Sequence, residues 1–377
     1  MDKFNLIAGA RRAMERAVMD SVPVNSRAWR SMLAQAALAF VGLVGLTAAF
    51  LLAFDPYGAA PWSGGKPPAL MDLNQRFMYP QVVRSHRFDS AVFGTSTIRL
   101  LNPDRIDQLF GVRSANLAMN SATAWEQSRI ADLFLRETPH PKLIIMGLDP
   151  LWCEEDADSP AKRLTFRAFP DSFYDDNRWN DWPHLFNLKG LEVAWRLAAH
   201  QFGLMRERLG ANGYEVFTPP ESQYDLQKAR SHIYEGGGPQ SALRPPVQVS
   251  GEQRASWRFP ALDWLSSLLG RLPPETRAVL VFPPRHVNGQ DAEGSLGKAR
   301  DAECKARVAK VAAGRATVVD FRFPSAITRR DENFWDSLHY RLPIAERIAT
   351  GLHEAVKGGG DRDGGVYHVL ETARAVN

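Results

Sequence analysis

Cysteine is almost missing from this chain: Cys153 and Cys304 are the only two in 377 residues. Two thiols are too few for a disulfide framework, and their spacing is not that of a metal site. They leave one bridge in an oxidising compartment or two free thiols. One-sided charge is missing as well. The chain carries 46 Lys and Arg against 42 Asp and Glu, without long blocks of either sign, which argues against a nucleic-acid surface. Its histidines show no ligand spacing, so neither a metal nor a cofactor is expected.

Charge is absent altogether from Ser31 to Phe54. The run Ala36–Leu46 is apolar on every helical face, whereas a core helix of this length would show a polar side. As a helix, residues 31–54 span roughly 36 Å, enough to cross a hydrocarbon layer of about 30 Å with some tilt. Lys3, Arg11, Arg12, Arg16, Arg27 and Arg30 precede this segment and Asp55 follows it. The positive-inside rule then keeps residues 1–30 cytoplasmic and exports the rest. A cleaved signal peptide is the competing reading, helped by Gly58-Ala59-Ala60, but the apolar run is longer than such peptides use. We read an uncleaved anchor in the inner membrane, with the remaining chain periplasmic. Residues 55–75, rich in Pro and Gly, read as a stiff linker.

Beyond the linker the pattern alternates. Apolar runs at 88–97, 112–117, 143–148, 278–282 and 316–321 read as strands. Asn102-Pro103 opens one helix and the Thr123–Glu126 capping box another. Asp301–Ala313 and a segment from Pro343 to Val356 read as two more, the last closed by Gly358-Gly359-Gly360. Five strands alternating with helices imply a three-layer, doubly wound parallel five-stranded sheet over 76–150 and 277–358. Residues 151–276 interrupt it as an aromatic-rich insertion, a lid or a platform for a partner or glycan, with Leu188–Leu204 as its main helix. Residues 359–377 read as a loose tail.

The first strand breaks at Gly94-Thr95-Ser96, which puts the Ser96 hydroxyl at the carboxyl edge of the sheet, where open α/β sheets hold ligands. A serine needs a base, and the base needs orienting. Asp336 and His339, three residues apart before the last helix, lie along the same edge. Of the other histidines, His286, just past the fourth strand, shares that rim.

Val92–Ser96, Ala115–Ser121, Leu143–Pro150 and Asp336–His339 together resemble the four ordered segments of the SGNH (GDSL-like) hydrolases. Within that superfamily the chain is similar to the membrane-anchored members that accompany membrane-bound O-acyltransferases in bacterial glycan acylation. The resemblance covers about 88–150 and 277–357. It implies Ser96 as nucleophile, His339 as general base and then acid, and Asp336 as the orienting carboxylate. It also implies an oxyanion hole from the Ser96 N–H, a glycine N–H at the position of Ser121, and an asparagine side chain in the third segment. Here the third segment carries Asp149, and an ionised carboxylate cannot donate. Asn120 is the replacement donor we consider. The implied function is acyl transfer to, or ester hydrolysis on, glycan O-acyl groups, acetyl first among them. The alternatives are a catalytically weak accessory protein that binds glycan or docks on a membrane acyltransferase, and a general periplasmic esterase or lipase.

Overall fold

The computed structural model describes residues 26–60, 69–359 and 365–374. Residues 1–25 of the segment expected to be cytoplasmic, residues 61–68 of the expected linker, and parts of the expected tail lie outside the described residues. The chain divides after Ala53 into two units. In the first, Ser26–Phe54 forms one helix, α1. From Arg27 on it is long and apolar enough to cross a membrane, with mean hydropathy 2.4.

The second unit is an α/β structure around six strands: β1 (Ser90–Phe93), β2 (Ser114–Asn116), β3 (Leu143–Gly147), β4 (Arg277–Phe282), β5 (Thr317–Asp320) and β6 (His368–Glu371). Their order is β2-β1-β3-β4-β5-β6. The first five are parallel, and β6 pairs antiparallel with β5, Val369 opposite Val319. The sheet is therefore mixed and six-stranded, where the sequence pattern predicts five parallel strands and a loose tail. Four residues after a glycine run give too short a pattern to register as a strand. What stabilises β6 is non-local: the open edge of β5, and the His368 ring stacked on Phe323 at 3.9 Å.

Each parallel strand is buried on both faces, as uninterrupted apolar runs require. Alternate residues serve alternate sides. Val92, Ile145, Val279, Val281 and Val319 share a core with Ile106 and Phe110 of α3 (Pro103–Phe110) and with Ile344, Ile348 and Leu352 of α9 (Leu342–Val356). On β1 the next residue, Phe93, meets Phe134 of α4 (Ala124–Glu137) edge to face instead. Around α4 pack α2 (Gln75–Val83) and α7 (Ala261–Gly270), and α7 adjoins α8 (Leu296–Ala312). The caps read from sequence are present: Asn102 accepts from the Asp104 N–H, and Thr123 and Glu126 form a reciprocal box. α8 starts five residues before the predicted Asp301, because Ser295 caps it.

Two stretches are more ordered than their composition suggests. Asp55 accepts hydrogen bonds from the Ala59 and Ala60 N–H groups, and the Arg178 guanidinium donates to the Gly58 carbonyl. Residues 75–83, assigned by sequence to the linker end and domain edge, form α2, capped by Asn74 and almost wholly buried. The insertion is not a separate unit. It holds α5 (Leu188–Gln201) and α6 (Leu226–Tyr234) among short turns. Cys153, just after β3, and Cys304 on α8 form a disulfide, which resolves the choice between a bridge and free thiols.

Candidate active site

At the end of β1 the chain turns at Gly94, whose φ of 147° suits glycine and whose position leaves no room for a side chain. A Cβ there would stand 2.5 Å from the Ile98 methyl and 3.3 Å from Gly147 on the neighbouring strand. Only glycine fits this turn, which brings half-buried Ser96 to the carboxyl edge of the sheet. From the other end of the chain, Phe334 and Tyr340 form an antiparallel bridge, and the Trp335 N–H donates to the His339 carbonyl at 2.8 Å. The bridge closes a tight loop that carries Asp336 and His339.

The two ends meet. His339 Nε2 lies 2.9 Å from Ser96 Oγ, and His339 Nδ1 lies 2.7 Å from Asp336 Oδ2. Asp336 Oδ1 accepts from the backbone N–H groups of Leu338 and His339 at 2.7 and 2.8 Å. Burial pushes the Asp336 carboxyl up, but the hydrogen bond and charge of His339, with those two amides, outweigh it and hold the group below its ordinary value. An ionised Asp336 fixes the imidazole with Nδ1 protonated, leaving Nε2 to accept the serine proton.

Ser121 and Asn120 stand on the loop after β2. Ser121 has φ of 56°, a left-handed conformation unusual for a non-glycine residue and one that a glycine would take without strain. Neither its N–H nor that of Ser96 donates to another backbone carbonyl among the described residues. Asn120 is held from two sides: Arg99 Nη1 donates to its Oδ1 at 3.1 Å, and Arg76 Nη1 to its carbonyl at 3.2 Å. Because guanidinium only donates, the Arg99 contact fixes the amide with oxygen inward and leaves its Nδ2 group to donate elsewhere.

Asp149 is where the structure departs most from the expectation of a carboxylate set against a developing oxyanion. It is buried, and each of its oxygens accepts one hydroxyl, from Thr95 and Thr97, both at 2.6 Å. These residues flank Ser96, so the carboxylate braces the turn that carries the hydroxyl.

The surrounding residues that sequence reasoning missed are mostly cations and aromatics brought from far away. Arg76, fully buried, forms a two-pronged ion pair with Glu126, at 3.0 and 2.6 Å, and so links α2 to the capping box of α4. Arg99, also fully buried, pairs with Glu215 of the insertion at 2.6 Å. Phe217, two residues on, sets its ring edge to face with His339 at 5.5 Å and lies under the Arg99 guanidinium. The signal available was Arg99 itself, an arginine three residues past Ser96 in an apolar stretch. Nothing in the local pattern marks Arg76 or Phe217.

His286 does not join Ser96. Its Nε2 faces Asp331 Oδ1 at 3.1 Å, and its Nδ1 accepts from the Asn288 N–H, so both nitrogens are occupied. Its backbone N–H donates to the Ser337 carbonyl at 3.1 Å, inside the loop that carries Asp336 and His339. Among the described residues no group of three or more His, Cys, Asp or Glu side chains is arranged to hold a metal ion. No protein-family model matches this chain, and no curated protein sequence is significantly similar to it.

Proposed function

We propose that this protein is a serine-dependent acyltransferase or acylesterase of the SGNH (GDSL-like) type, anchored by α1 and acting on glycan O-acyl groups, acetyl first among them, on the outer side of the inner membrane. The observation that carries the reading is His339, with one ring nitrogen on Ser96 and the other on Asp336. In the first half-reaction Ser96 Oγ bonds to the acyl carbon while its proton passes to His339 Nε2. The developing oxyanion is received by the N–H groups of Ser96 and Ser121 and by Asn120 Nδ2. Collapse breaks the ester bond of the donor, and the departing oxygen takes the proton from His339. In the second half an acceptor hydroxyl gives its proton to His339 and attacks the Ser96 ester, and collapse breaks the bond between the acyl carbon and Ser96 Oγ as His339 returns the proton to Oγ. A sugar hydroxyl as acceptor makes the protein a transferase, water an esterase.

The Cys153–Cys304 disulfide supports an oxidising compartment, in keeping with a cytoplasmic N-terminus and an exported second unit. A membrane-bound O-acyltransferase as acyl source belongs to the same reading. A second reading, a non-catalytic glycan-binding or docking protein, draws on the exposed aromatics of the insertion: Phe166 is 88% exposed and Trp195 67%.

The test is covalent. Incubated with a fluorophosphonate or p-nitrophenyl acetate, the protein gains the mass of one adduct, and Ser96→Ala gains none. Added oligosaccharide shortens the life of the acetyl adduct for a transferase and leaves it unchanged for an esterase. A folded protein that forms no adduct would move the assignment to the binding role.

A further inference from the structure

At the carboxyl edge of the sheet, the loops that leave β3, β4 and β5 frame a half-open cavity of about 350 Å³, lined by the cations Arg285, Lys298 and Arg322, the carboxylates Asp291 and Asp301, and Gln290 among others. Arg322 leaves the same strand, β5, as the loop that carries Asp336 and His339, and the other two loops touch the surroundings of the triad. Pro150 follows Asp149, which braces Thr95 and Thr97, and Gly289 packs against the Ser337 carbonyl beside Asp336.

The cations of this cavity are not equally compensated. Arg322 donates to Asp301 at 2.7 Å and to the Leu148 carbonyl at 2.8 Å, and Lys298 pairs with Glu293 at 3.2 Å. Among the described residues Arg285 has no such partner, and its buried Nε finds no acceptor. Burial and the neighbouring Arg322 both lower its hold on its proton, partly opposed by the fields of Asp149, Asp291 and Asp301. Gln290, whose amide nitrogen is fixed on the Arg285 carbonyl, leaves its own buried Oε1 without a donor. A partly buried cation with no ion pair among the described residues, beside a buried acceptor without a donor, favours a ligand that brings both a charge and a donor. An anion that also carries hydroxyls does.

We propose that this cavity binds an anionic group of the glycan substrate, a sugar carboxylate or phosphate, with Arg285 holding the charge and Gln290 accepting an adjacent hydroxyl. That the bound sugar is a substrate rests on the acyl-transfer reading above, whereas the binding itself does not. A substrate docked here lies along the same rim as Ser96, so the charge would select which acylated or acceptor glycan reaches the serine.

The experiment is calorimetric titration of the full chain in detergent micelles with glucuronate, glucose 6-phosphate and uncharged glucose. Saturable binding of either anion, with none of glucose, is the expected result. A preference for glucuronate assigns a carboxylate and the reverse assigns a phosphate. Arg285→Gln weakens binding about tenfold or more, as expected for a charge-assisted fork, and Arg285→Lys falls between it and the parent. Ser96→Ala leaves binding unchanged. No saturable binding of either anion, or equal affinity in the parent and the folded Arg285 variants, overturns the subsite. An adduct on Ser96 without anion binding removes the subsite alone. Anion binding without an adduct keeps the subsite and removes the acyl-enzyme.

Discussion

Two histidine–aspartate pairs hold the carboxyl rim, and they share one stretch of chain. His339 faces Asp336 through Nδ1 at 2.7 Å, and His286 faces Asp331 through Nε2 at 3.1 Å. The difference lies in the second nitrogen. In His339 it reaches Ser96 Oγ, and the side chain is 23% exposed. In His286 it accepts a backbone N–H, and the side chain is 1% exposed between Tyr234 and Phe334. A carboxylate beside an imidazole is therefore no sign of chemistry by itself. On the proposed reading, what would make one pair reactive is an unspent nitrogen within reach of a hydroxyl, and what makes the other structural is that both nitrogens are spent.

The comparison is broken most severely by exchanging side chains in each pair. Ser96→Ala or His339→Ala is expected to lower kcat for ester turnover by about 10⁴-fold or more, with the two together no worse than either alone, because they act as a unit. His286→Gln, which keeps a donor toward Asp331, is expected to retain activity within about tenfold. Steady-state kinetics on an acetyl ester check all four proteins. A His286→Gln loss equal to that of His339→Ala would mean that the assignment of the two pairs is reversed.

A smaller effect tests the oxyanion side. Asn120→Ala removes one donor and is expected to cost about 100- to 1000-fold in kcat with little change in KM. Asp149→Asn should act differently. It retains an acceptor for one threonine hydroxyl but loses charge from the brace, so any loss reflects displacement of the Ser96 turn. If Asn120→Ala changes KM alone, Asn120 binds ground-state substrate and does not stabilise the transition state.

How much of this was readable beforehand divides along the same line, between local and remote partners. The parallel strands, the capping box and the residues Ser96, Asp336 and His339 come from short-range patterns: apolar runs, cap spacing, a glycine turn and a three-residue interval. The brace at Asp149 joins residues 54 positions apart, and the Arg99–Glu215 pair 116 apart. No periodicity encodes such contacts. Asp149 consequently reads from sequence as a flaw in an oxyanion hole, while in the fold its oxygens are occupied by two hydroxyls. α2 was missed for a related reason. Pro80 stands inside it and Gln75, Arg76 and Gln81 break its apolar pattern, but Arg76 is satisfied by Glu126, Thr165 and the Asn120 carbonyl, so the helix can be buried without a clean apolar face. The insertion, read as a lid or platform, also supplies Phe217 and Glu215 to the surroundings of His339.

The smallest expected effect concerns stability, and it sharpens the contrast between the pairs. Burial holds the His286 imidazole below its ordinary value, with the charge of Asp331 pulling less strongly the other way. In the unfolded chain a histidine takes its proton near pH 6.5, so between that value and the lower folded one the unfolded state binds more protons. The contribution of neutral His286 is thus whole above about pH 6.5 and is lost as pH falls through that window. Asp336 is also held low, and its contribution, present above the ordinary carboxylate value, is lost only as pH falls through its lower folded value. The first loss on acidification therefore belongs to the His286–Asp331 pair and the later one to the His339–Asp336 pair. Thermal unfolding at pH 7 and pH 5 should show a fall in Tm that is smaller in His286→Gln than in the parent, by about 1–3 °C. Asp336→Asn should leave this drop unchanged. An identical drop in His286→Gln and the parent would mean that His286 is already free to charge in the folded protein, and the distinction between a spent and an unspent nitrogen would then fail at its structural end.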